Sequence, residues 1–406
     1  MRPFEGMKVV DLTHVLAGPF STYQLALLGA DVVKIEAPGL GEYMRRRGAD
    51  EALSKNLMGD HYLSQNANKR SLVVNLKTSR GQDVVRRLAA GADVVVENYR
   101  AGVVDRLNLG YEALAALNPR LVYCSLKAYG ATGPKGGLPG WDHNVQAASG
   151  LMMTTGTESS APLKAGAPVI DYASGTMAAF AISAALLQRE RTGKGQFIDV
   201  SMLDTALMLM SPLVGSCFMT GRAPQPHGND HDLAAGSCYE TADGERIMLG
   251  AIMQGQFETF CRLIGRADLA RDPRFADVRE QGPHRAALAA EITVAMKART
   301  ADEWEALLGE AVPAVRVRGL DEALGEEQLL SRGVLHTFDE VPGVGADVTV
   351  PLAAFTYDHG GPRADAPPPR LDQHTDEVMA EIGFAADEIE TLRREGVIGN
   401  GGGEVS

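Results

Sequence analysis

Two β-rich runs flank a helix-length run near the start of the chain, in the stretch KVVDLTHVLAGPFSTYQLALLGADVVKIE at residues 8–36. The pattern predicts strands at 8–12 and 30–36 and a helix at 21–28. The alternation continues with strands predicted at 71–75, 92–97 and 121–125 and a helix at 79–90. Strands separated by helices imply right-handed crossovers. We therefore predict an α/β fold with a Rossmann-like, open, mainly parallel sheet that binds ligands at the carboxyl ends of its strands.

The 406 residues exceed what one ordinary core uses, which predicts two domains. We assign residues 1–220 to the large Rossmann-like domain. This part includes an apolar helix at 172–189, a strand at 196–200 and an apolar stretch at 202–219. A linker rich in Gly, Pro and His follows at 221–232, then a smaller α+β domain at 233–330. Residues 331–398 are expected to return to the large domain, with a strand-like run at 342–357 and a helix at 375–383. The glycine-rich tail at 399–406 is predicted to be disordered.

Composition narrows the class of protein. Apolar residues make up 45% of the chain and charged residues 22%, and we expect no window to approach the roughly 20 apolar residues of a membrane span. With no signal segment recognised, a soluble cytoplasmic protein is expected. The net charge of −13 argues against nucleic acid and anionic lipid as partners. The four cysteines form no CxxC pair, and the spaced pair His227 and His231 lies in the linker, so no metal site is predicted.

The glycines do not form a dinucleotide motif. The turn after the first predicted strand reads THVLAGP at residues 13–19, and no GxGxxG follows it. Walker A, HExxH, GxSxG and EF-hand patterns are absent from the sequence as well. A nicotinamide-dependent enzyme is therefore not predicted.

A series of loop motifs in a fixed order resembles the class III CoA transferases, the CaiB/BaiF type, a group that includes formyl-CoA and carnitine CoA transferases. The blocks are DLTHVLAGP (11–19), LGADVVKIE (28–36), NANKRS (66–71), YGATGP (129–134), GWDHNVQAASG (140–150), PVIDYASG (168–175), TGKGQ (192–196) and HTDEV (374–378). The resemblance implies an enzyme that moves CoA from an acyl-CoA donor to a free carboxylic acid. It also implies an intertwined homodimer.

Asp171 lies directly before the predicted apolar helix. Taken alone, this position is typical of an N-cap, whose carboxylate accepts the free N–H groups of the helix start. The resemblance implies instead the covalent nucleophile, which would form an aspartyl anhydride and then an aspartyl-CoA thioester. The two roles are compatible, because the helix dipole would hold the attacking carboxylate ionised.

The resemblance also implies the binding site for coenzyme A, which acts as co-substrate with no metal. Lys77 and Arg106 could meet its phosphates and Tyr99 its adenine. Some relatives carry Arg where this chain has Ala37, and we expect the neighbouring Arg45, Arg46 and Arg47 to compensate. The full set of implied CoA-binding residues is Leu16, Ala17, Val74, Asn75, Leu76, Lys77, Asn98, Tyr99 and Arg106.

His143 bears on an alternative reaction. The superfamily includes 2-methylacyl-CoA racemases, whose catalytic histidine comes immediately before the aspartate of the GWDHN block, where this chain has Trp141. The transferase is therefore preferred, with His143 either orienting Asp171 or a substrate carboxylate, or simply a loop histidine. A non-catalytic CoA-binding protein is the second alternative.

Two details of the reaction follow less directly from the sequence. Candidates for the oxyanion donors are residues 235–237 and 254–255, since the run of glycines seen in the formyl-CoA branch is missing. The expected acceptor is a short-chain acid or a C4–C5 dicarboxylate such as succinate or mesaconate.

Overall fold

Six parallel strands form the central sheet of this computed structural model, whose described residues are 1–399. They are β1 (Lys8–Leu12), β2 (Asp31–Glu36), β3 (Lys69–Val73), β4 (Val94–Glu97), β5 (Val122–Lys127) and β6 (Gln196–Ser201). The order across the sheet is β3-β2-β1-β4-β5-β6, and every neighbouring pair is parallel. The predicted α/β class with an open parallel sheet is confirmed.

Helices connect the strands and extend along the rest of the chain. In chain order they are α1 (Ala17–Leu27), α2 (Glu51–Lys55), α3 (Asp60–Leu63), α4 (Ser79–Ala90), α5 (Val103–Arg106), α6 (Tyr111–Leu117), α7 (Asp142–Ser149), α8 (Leu151–Thr154), α9 (Val169–Thr192), α10 (Met202–Leu209), α11 (Ser211–Thr220), α12 (Gln254–Leu263), α13 (Arg285–Met296), α14 (Ala301–Leu308), α15 (Leu320–Leu324), α16 (Glu327–Ser331), α17 (Thr375–Glu381) and α18 (Ala386–Arg394).

Each face of the sheet packs on its own core, because successive strand residues point to opposite sides. In β1, Val9 belongs to the cluster that contains α1 and α9. Its neighbour Val10 belongs to the cluster formed with α4, α6, α17 and α18. The two layers of helices therefore hold the strands rigidly, with their carboxyl ends at one edge.

Several element boundaries differ from the predictions. Helix α1 begins at Ala17 and includes Pro19, which the first turn tolerates because its missing N–H would have no intrahelical partner. Strand β3 begins at Lys69, which pairs with Val32 of β2. The apolar stretch 202–219 forms two helices that meet at Met210 with a bend of 76°.

Helix α9 is long and apolar enough to cross a membrane by length and composition alone, with a mean hydropathy of 1.4. The bent pair α10 and α11 passes the same test only when taken together. The expectation that no segment approaches a membrane span is therefore wrong for α9. The helix packs against α1, β5 and β6, as core helices of soluble proteins do, and its Arg189 is buried in an ion pair with Asp93 at 2.9 Å.

The chain divides into two units. Unit 1 comprises Met1–Leu151, Lys164–Arg222 and the described chain from Leu330 onward, and unit 2 comprises Met152–Leu163 and Ala223–Leu329. Unit 2 contains an antiparallel sheet of β7 (Cys238–Glu240), β8 (Arg246–Leu249) and β9 (Ala314–Arg316). Its core packs around Phe257, Phe260 and Trp304.

The C-terminal part of unit 1 begins with a hairpin and ends beside the central sheet. The hairpin consists of β10 (Leu335–Phe338) and β11 (Val348–Pro351), so only four residues of the predicted strand-like run 342–357 form a strand. Helix α18 follows the predicted α17. Beyond it, the carbonyl of Val397 accepts the Asn75 N–H at 2.8 Å, and Ile398 pairs with Val74. Apart from Gly399, the predicted tail lies outside the described residues.

Candidate active site

A cavity of about 180 Å³ lies where the strand order of unit 1 reverses, between β1 and β4. Ligands of open α/β sheets bind at such switch points. The volume is below the roughly 300–1,000 Å³ of a drug-sized site, so it suits the reacting end of a larger ligand. The cavity is lined by residues 14–17, 98–101, 126–128, 136, 138–141, 171 and 202.

Asp171 is the third residue of α9, and it is one of the residues that line this cavity. The residue is 8% exposed. Among residues 1–399, no hydrogen-bond donor reaches its carboxylate oxygens. The N-cap interpretation of Asp171 is therefore wrong, and the side chain is free to react.

The carboxylate that holds the start of α9 is Asp142, in the first turn of α7. Its Oδ2 accepts the N–H groups of Ile170 at 2.8 Å and of Asp171 at 3.1 Å. Its Oδ1 accepts from Gln146 Nε2 at 2.5 Å, and Gln146 Oε1 accepts the Ala165 N–H at 2.8 Å. Asp142 and Gln146 are both buried. This chain of bonds orients the segment that carries Asp171.

Burial and, to a smaller extent, the negative charge of Asp142 together raise the pKa of Asp171 to about 7. The expectation that this carboxylate is held ionised at neutral pH is wrong, because burial and the neighbouring charge both raise its pKa. A carboxyl with a pKa near 7 exists in both forms at neutral pH, which is common for groups that carry out chemistry.

Replacing Asp142 with alanine should lower the free energy of unfolding by about 2–4 kcal/mol, because two buried N–H groups lose their acceptor. The measurement is urea unfolding at pH 5. At this pH Asp171 carries a proton, so removal of the Asp142 charge relieves no repulsion that would offset the lost stability. His143→Ala, at the next and exposed position, is the matched control and should change stability by less than about 0.5 kcal/mol. Equal losses in the two variants would contradict the capping role of Asp142.

The predicted residues Leu16, Ala17, Asn98 and Tyr99 line the cavity together with Asp171. The N–H groups of Leu16 and Ala17 have no acceptor within the described part of the chain. The side-chain amide of Asn98 bonds twice to the backbone of His14. Its Oδ1 accepts the His14 N–H at 2.8 Å, and its Nδ2 donates to the His14 carbonyl at 2.7 Å. Asn98 therefore positions the loop after β1.

His14 stacks edge-on against Tyr99, with ring centroids 4.8 Å apart. Burial lowers the pKa of His14 to about 4, assisted by the charge of Lys34. The imidazole is therefore neutral at pH 7. Lys127 is bound to Glu97 at 2.8 Å, whereas Arg100 is exposed and has no ion pair among residues 1–399.

The other predicted CoA-binding residues do not line this cavity. Val74, Asn75, Leu76 and Lys77 follow β3 at the same edge of the sheet, where Val74 and Leu76 pack on the core and Lys77 is exposed. Arg106 ends α5 and is also exposed. Their contact with CoA stays a prediction.

His143 is exposed on α7 and lies outside the cavity lining, so no contact with Asp171 supports an orienting role. Arg45 is fully buried and bound to Glu36, with its Nε 2.6 Å from Glu36 Oε2. The expected compensation for Ala37 is therefore wrong for Arg45. Arg46 and Arg47 remain exposed, and Arg47 lies over the Tyr43 ring.

The oxyanion candidates at residues 235–237 lie in unit 2. The Gly236 N–H donates to Leu233 O at 2.9 Å and the Ser237 N–H to Ala234 O at 3.1 Å, so neither is available to a ligand. The expectation for Gly236 and Ser237 is therefore wrong. Residues 254–255 begin α12.

Sequence reasoning assigned no role to Asp142, Gln146, His14 and Arg100. The first two had a detectable signal, since an acid and an amide four residues apart face the same side of a helix. His14 and Arg100 follow β1 and β4, at the carboxyl ends where ligands of parallel sheets bind.

Comparison with known proteins gives matches over nearly the whole chain. The sequence model of CoA-transferase family III matches residues 4–375. The succinyl-CoA:glutarate CoA-transferase of Mus musculus is 35% identical over 402 residues, which cover 98% of this chain and 91% of the mouse protein. The succinyl-CoA:mesaconate CoA-transferase of Haloarcula marismortui is 34% identical over 394 residues, covering 94% and 97%. The crystal structure of a CaiB/BaiF family protein from Brucella suis superposes with a TM-score of 0.82 at 32% identity, covering 94% of this chain and 99% of that one.

Proposed function

We propose, since this chain belongs to CoA-transferase family III, that it moves CoA from an acyl-CoA such as succinyl-CoA to a C4–C5 dicarboxylic acid, with Asp171 as the covalent nucleophile. The observation that carries the proposal is the unbonded carboxylate of Asp171 in the cavity at the switch point of the sheet. The names of the mouse and Haloarcula relatives, which specify glutarate and mesaconate, support a dicarboxylate acceptor.

The reaction proceeds through two covalent intermediates on Asp171. The carboxylate attacks the thioester carbonyl of the donor, which expels the CoA thiolate and forms a mixed anhydride. The thiolate then attacks the Asp171 carbonyl, releasing the donor acid and leaving an aspartyl-CoA thioester. The acceptor carboxylate attacks this thioester, and the same two steps in reverse release the new acyl-CoA and regenerate the carboxylate.

The free N–H groups of Leu16 and Ala17 are suited to stabilise the oxyanion of each tetrahedral intermediate. They lie at the N-terminal end of α1, where the helix dipole favours negative charge. The burial that raises the pKa of Asp171 also removes water from the attacking carboxylate and would limit hydrolysis of the anhydride.

The test is an exchange assay with succinyl-CoA and a panel of glutarate, mesaconate, butyrate and benzoate. We expect the two dicarboxylates to be preferred by at least about tenfold in kcat/KM. Preference for a monocarboxylate would overturn the acceptor class. Incorporation of solvent deuterium at the α-carbon of a 2-methylacyl-CoA without exchange would support a racemase, and CoA binding with no turnover in either assay would indicate a binding protein.

The homodimer is part of the same proposal. Several large apolar side chains of α9 and α11 are exposed, above all Phe218 at 88% and Met219 at 87%, with Phe180 and Leu187 also exposed. Large exposed apolar surfaces often mark sites of protein association, and a second copy would cover these side chains. Light scattering after gel filtration should give a dimer for the wild type and a lower mass for Phe218→Asp/Met219→Asp. A monomeric wild type would contradict the dimer.

A cytoplasmic location is also proposed. It is supported by the four cysteines, which are all free, as is usual in reducing compartments. Fractionation of the host cell with a marker for each compartment tests this assignment.

A further inference from the structure

Val15 has a backbone φ of +71°, in the left-handed region. A β-branched residue is a clear outlier there, because its Cβ substituents crowd the backbone. Such a conformation persists only where the surroundings hold it, and it occurs most often at functional sites. Val15 lies between β1 and α1, in the segment that lines the cavity with Asp171.

Side chains from three other parts of unit 1 hold this segment. The Val15 N–H donates to Glu42 Oε2 at 3.2 Å, and the Val15 carbonyl accepts from Gln65 Nε2 at 2.9 Å. Asn98 holds the N–H and carbonyl of the preceding His14 in the same way. All four backbone polar groups of residues 14 and 15 are therefore bonded to side chains.

Glu42 and Gln65 are poorly explained as stabilising residues. They are 2% and 1% exposed, and the Oε1 atom of each side chain is buried without a hydrogen-bond partner. Buried polar atoms without partners reduce stability. The one element that both side chains contact through hydrogen bonds is the strained residue Val15.

The residues that follow Val15 are those whose position matters for the chemistry. Leu16 and Ala17 present their free N–H groups at the start of α1 and line the cavity. With an ordinary negative φ at Val15, the next peptide would point in another direction.

We propose that Glu42 and Gln65 are positioning residues, which hold Val15 in its left-handed conformation and thereby fix the backbone of Leu16 and Ala17 relative to Asp171. The expected effect on reaction rate rests on the proposed CoA transfer. Neither side chain lines the cavity, so both act through Val15.

The test is a rescue experiment in the full-length protein. Glu42→Leu should lower kcat/KM for exchange about 10–100-fold, because displacement of about 1 Å in an active site has effects of this size. Glu42→Gln, which keeps an acceptor for the Val15 N–H, should remain within about threefold of wild type. Adding Val15→Gly to Glu42→Leu should recover at least about fivefold, because glycine adopts a positive φ without strain.

Glu340→Gly provides the matched control for Val15→Gly. Glu340 also has a positive φ, of 44°, but it is exposed and lies outside the cavity lining. Combined with Glu42→Leu, it should recover no activity. Full activity of Glu42→Leu, or equal recovery with Val15→Gly and Glu340→Gly, would overturn the inference.

Two further measurements keep the outcome interpretable. If Glu42→Leu does not fold, Gln65→Leu takes its place, with the same rescue expected from Val15→Gly. The dissociation constant for CoA is measured in parallel, and it should rise in the single variant and fall again in the rescued one. This binding result tests the positioning role even if the wild type exchanges CoA with none of the acids, an outcome that would count against the proposed function alone.

Discussion

Replacing Asp171 with asparagine is expected to lower the rate of CoA exchange by at least about 10³-fold, because the amide cannot form the anhydride or the thioester. The substitution preserves the shape of the side chain, and no hydrogen-bond donor among residues 1–399 depends on the carboxylate. Affinity for CoA should therefore be retained. Stopped assays with labelled succinyl-CoA and glutarate measure the loss.

Asp204→Asn is the matched control for this substitution. Asp204 also lies in the first turn of a helix of unit 1, but it is exposed and outside the cavity lining. Its variant should exchange CoA within about twofold of wild type. Hydroxylamine added with an acyl-CoA should modify the peptide that contains residue 171 in the wild type and in Asp204→Asn, but not in Asp171→Asn. Exchange by Asp171→Asn above one tenth of the wild-type rate would contradict the assignment of the nucleophile.

The same Asp171→Asn variant should be more stable than the wild type, by an amount that grows with pH. The pKa of Asp171 is about 7 in the folded protein and 3.8 as the ordinary value, so the folded state binds more protons between these two values. Wild-type stability is therefore lost as the pH rises toward 7. The advantage of the variant should grow by about 2 kcal/mol between pH 5.5 and pH 8.5, at about 1.4 kcal/mol per pH unit up to pH 7.

Urea unfolding of both proteins at the two pH values measures this difference. Asp204→Asn again serves as the control, because replacing an exposed carboxylate should change stability by nearly the same amount at both pH values. A constant difference between Asp171→Asn and wild type would show that the Asp171 carboxyl is not buried as described.

The sheet and the candidate nucleophile Asp171 could be proposed from the sequence because their signals are local. Alternating apolar runs define each strand and helix, and short loop motifs bring the family resemblance with its assignment of Asp171. The prediction of a site at the carboxyl ends of the strands needs only the rule that ligands of parallel sheets bind there. Residues 14–17 and 98–101, which come just after β1 and β4, line the cavity as this rule predicts.

The contacts that shape the site were not predictable, because they join residues far apart in the chain. Asp142 caps a helix that begins 27 residues later, and its negative charge adds to the effect of burial in raising the pKa of Asp171. The left-handed conformation of Val15 has no local signal, and its bonding partners Glu42 and Gln65 lie 27 and 50 residues further along the chain. The sequence gives no sign that Arg45 is buried, because its partner Glu36 lies nine residues earlier in the chain.

The last described residues also bear on how the protein matures during synthesis. Helices α17 and α18 cover one face of the central sheet, and Gly396, which accepts a bond from Asn75, comes 321 residues after it. The part of that face that α17 and α18 cover therefore stays exposed on a nascent chain until these two helices have been synthesised. Chaperones that protect exposed apolar surface should engage the growing polypeptide during this interval, and the stretch around Lys77 would be among the last to reach its mature form.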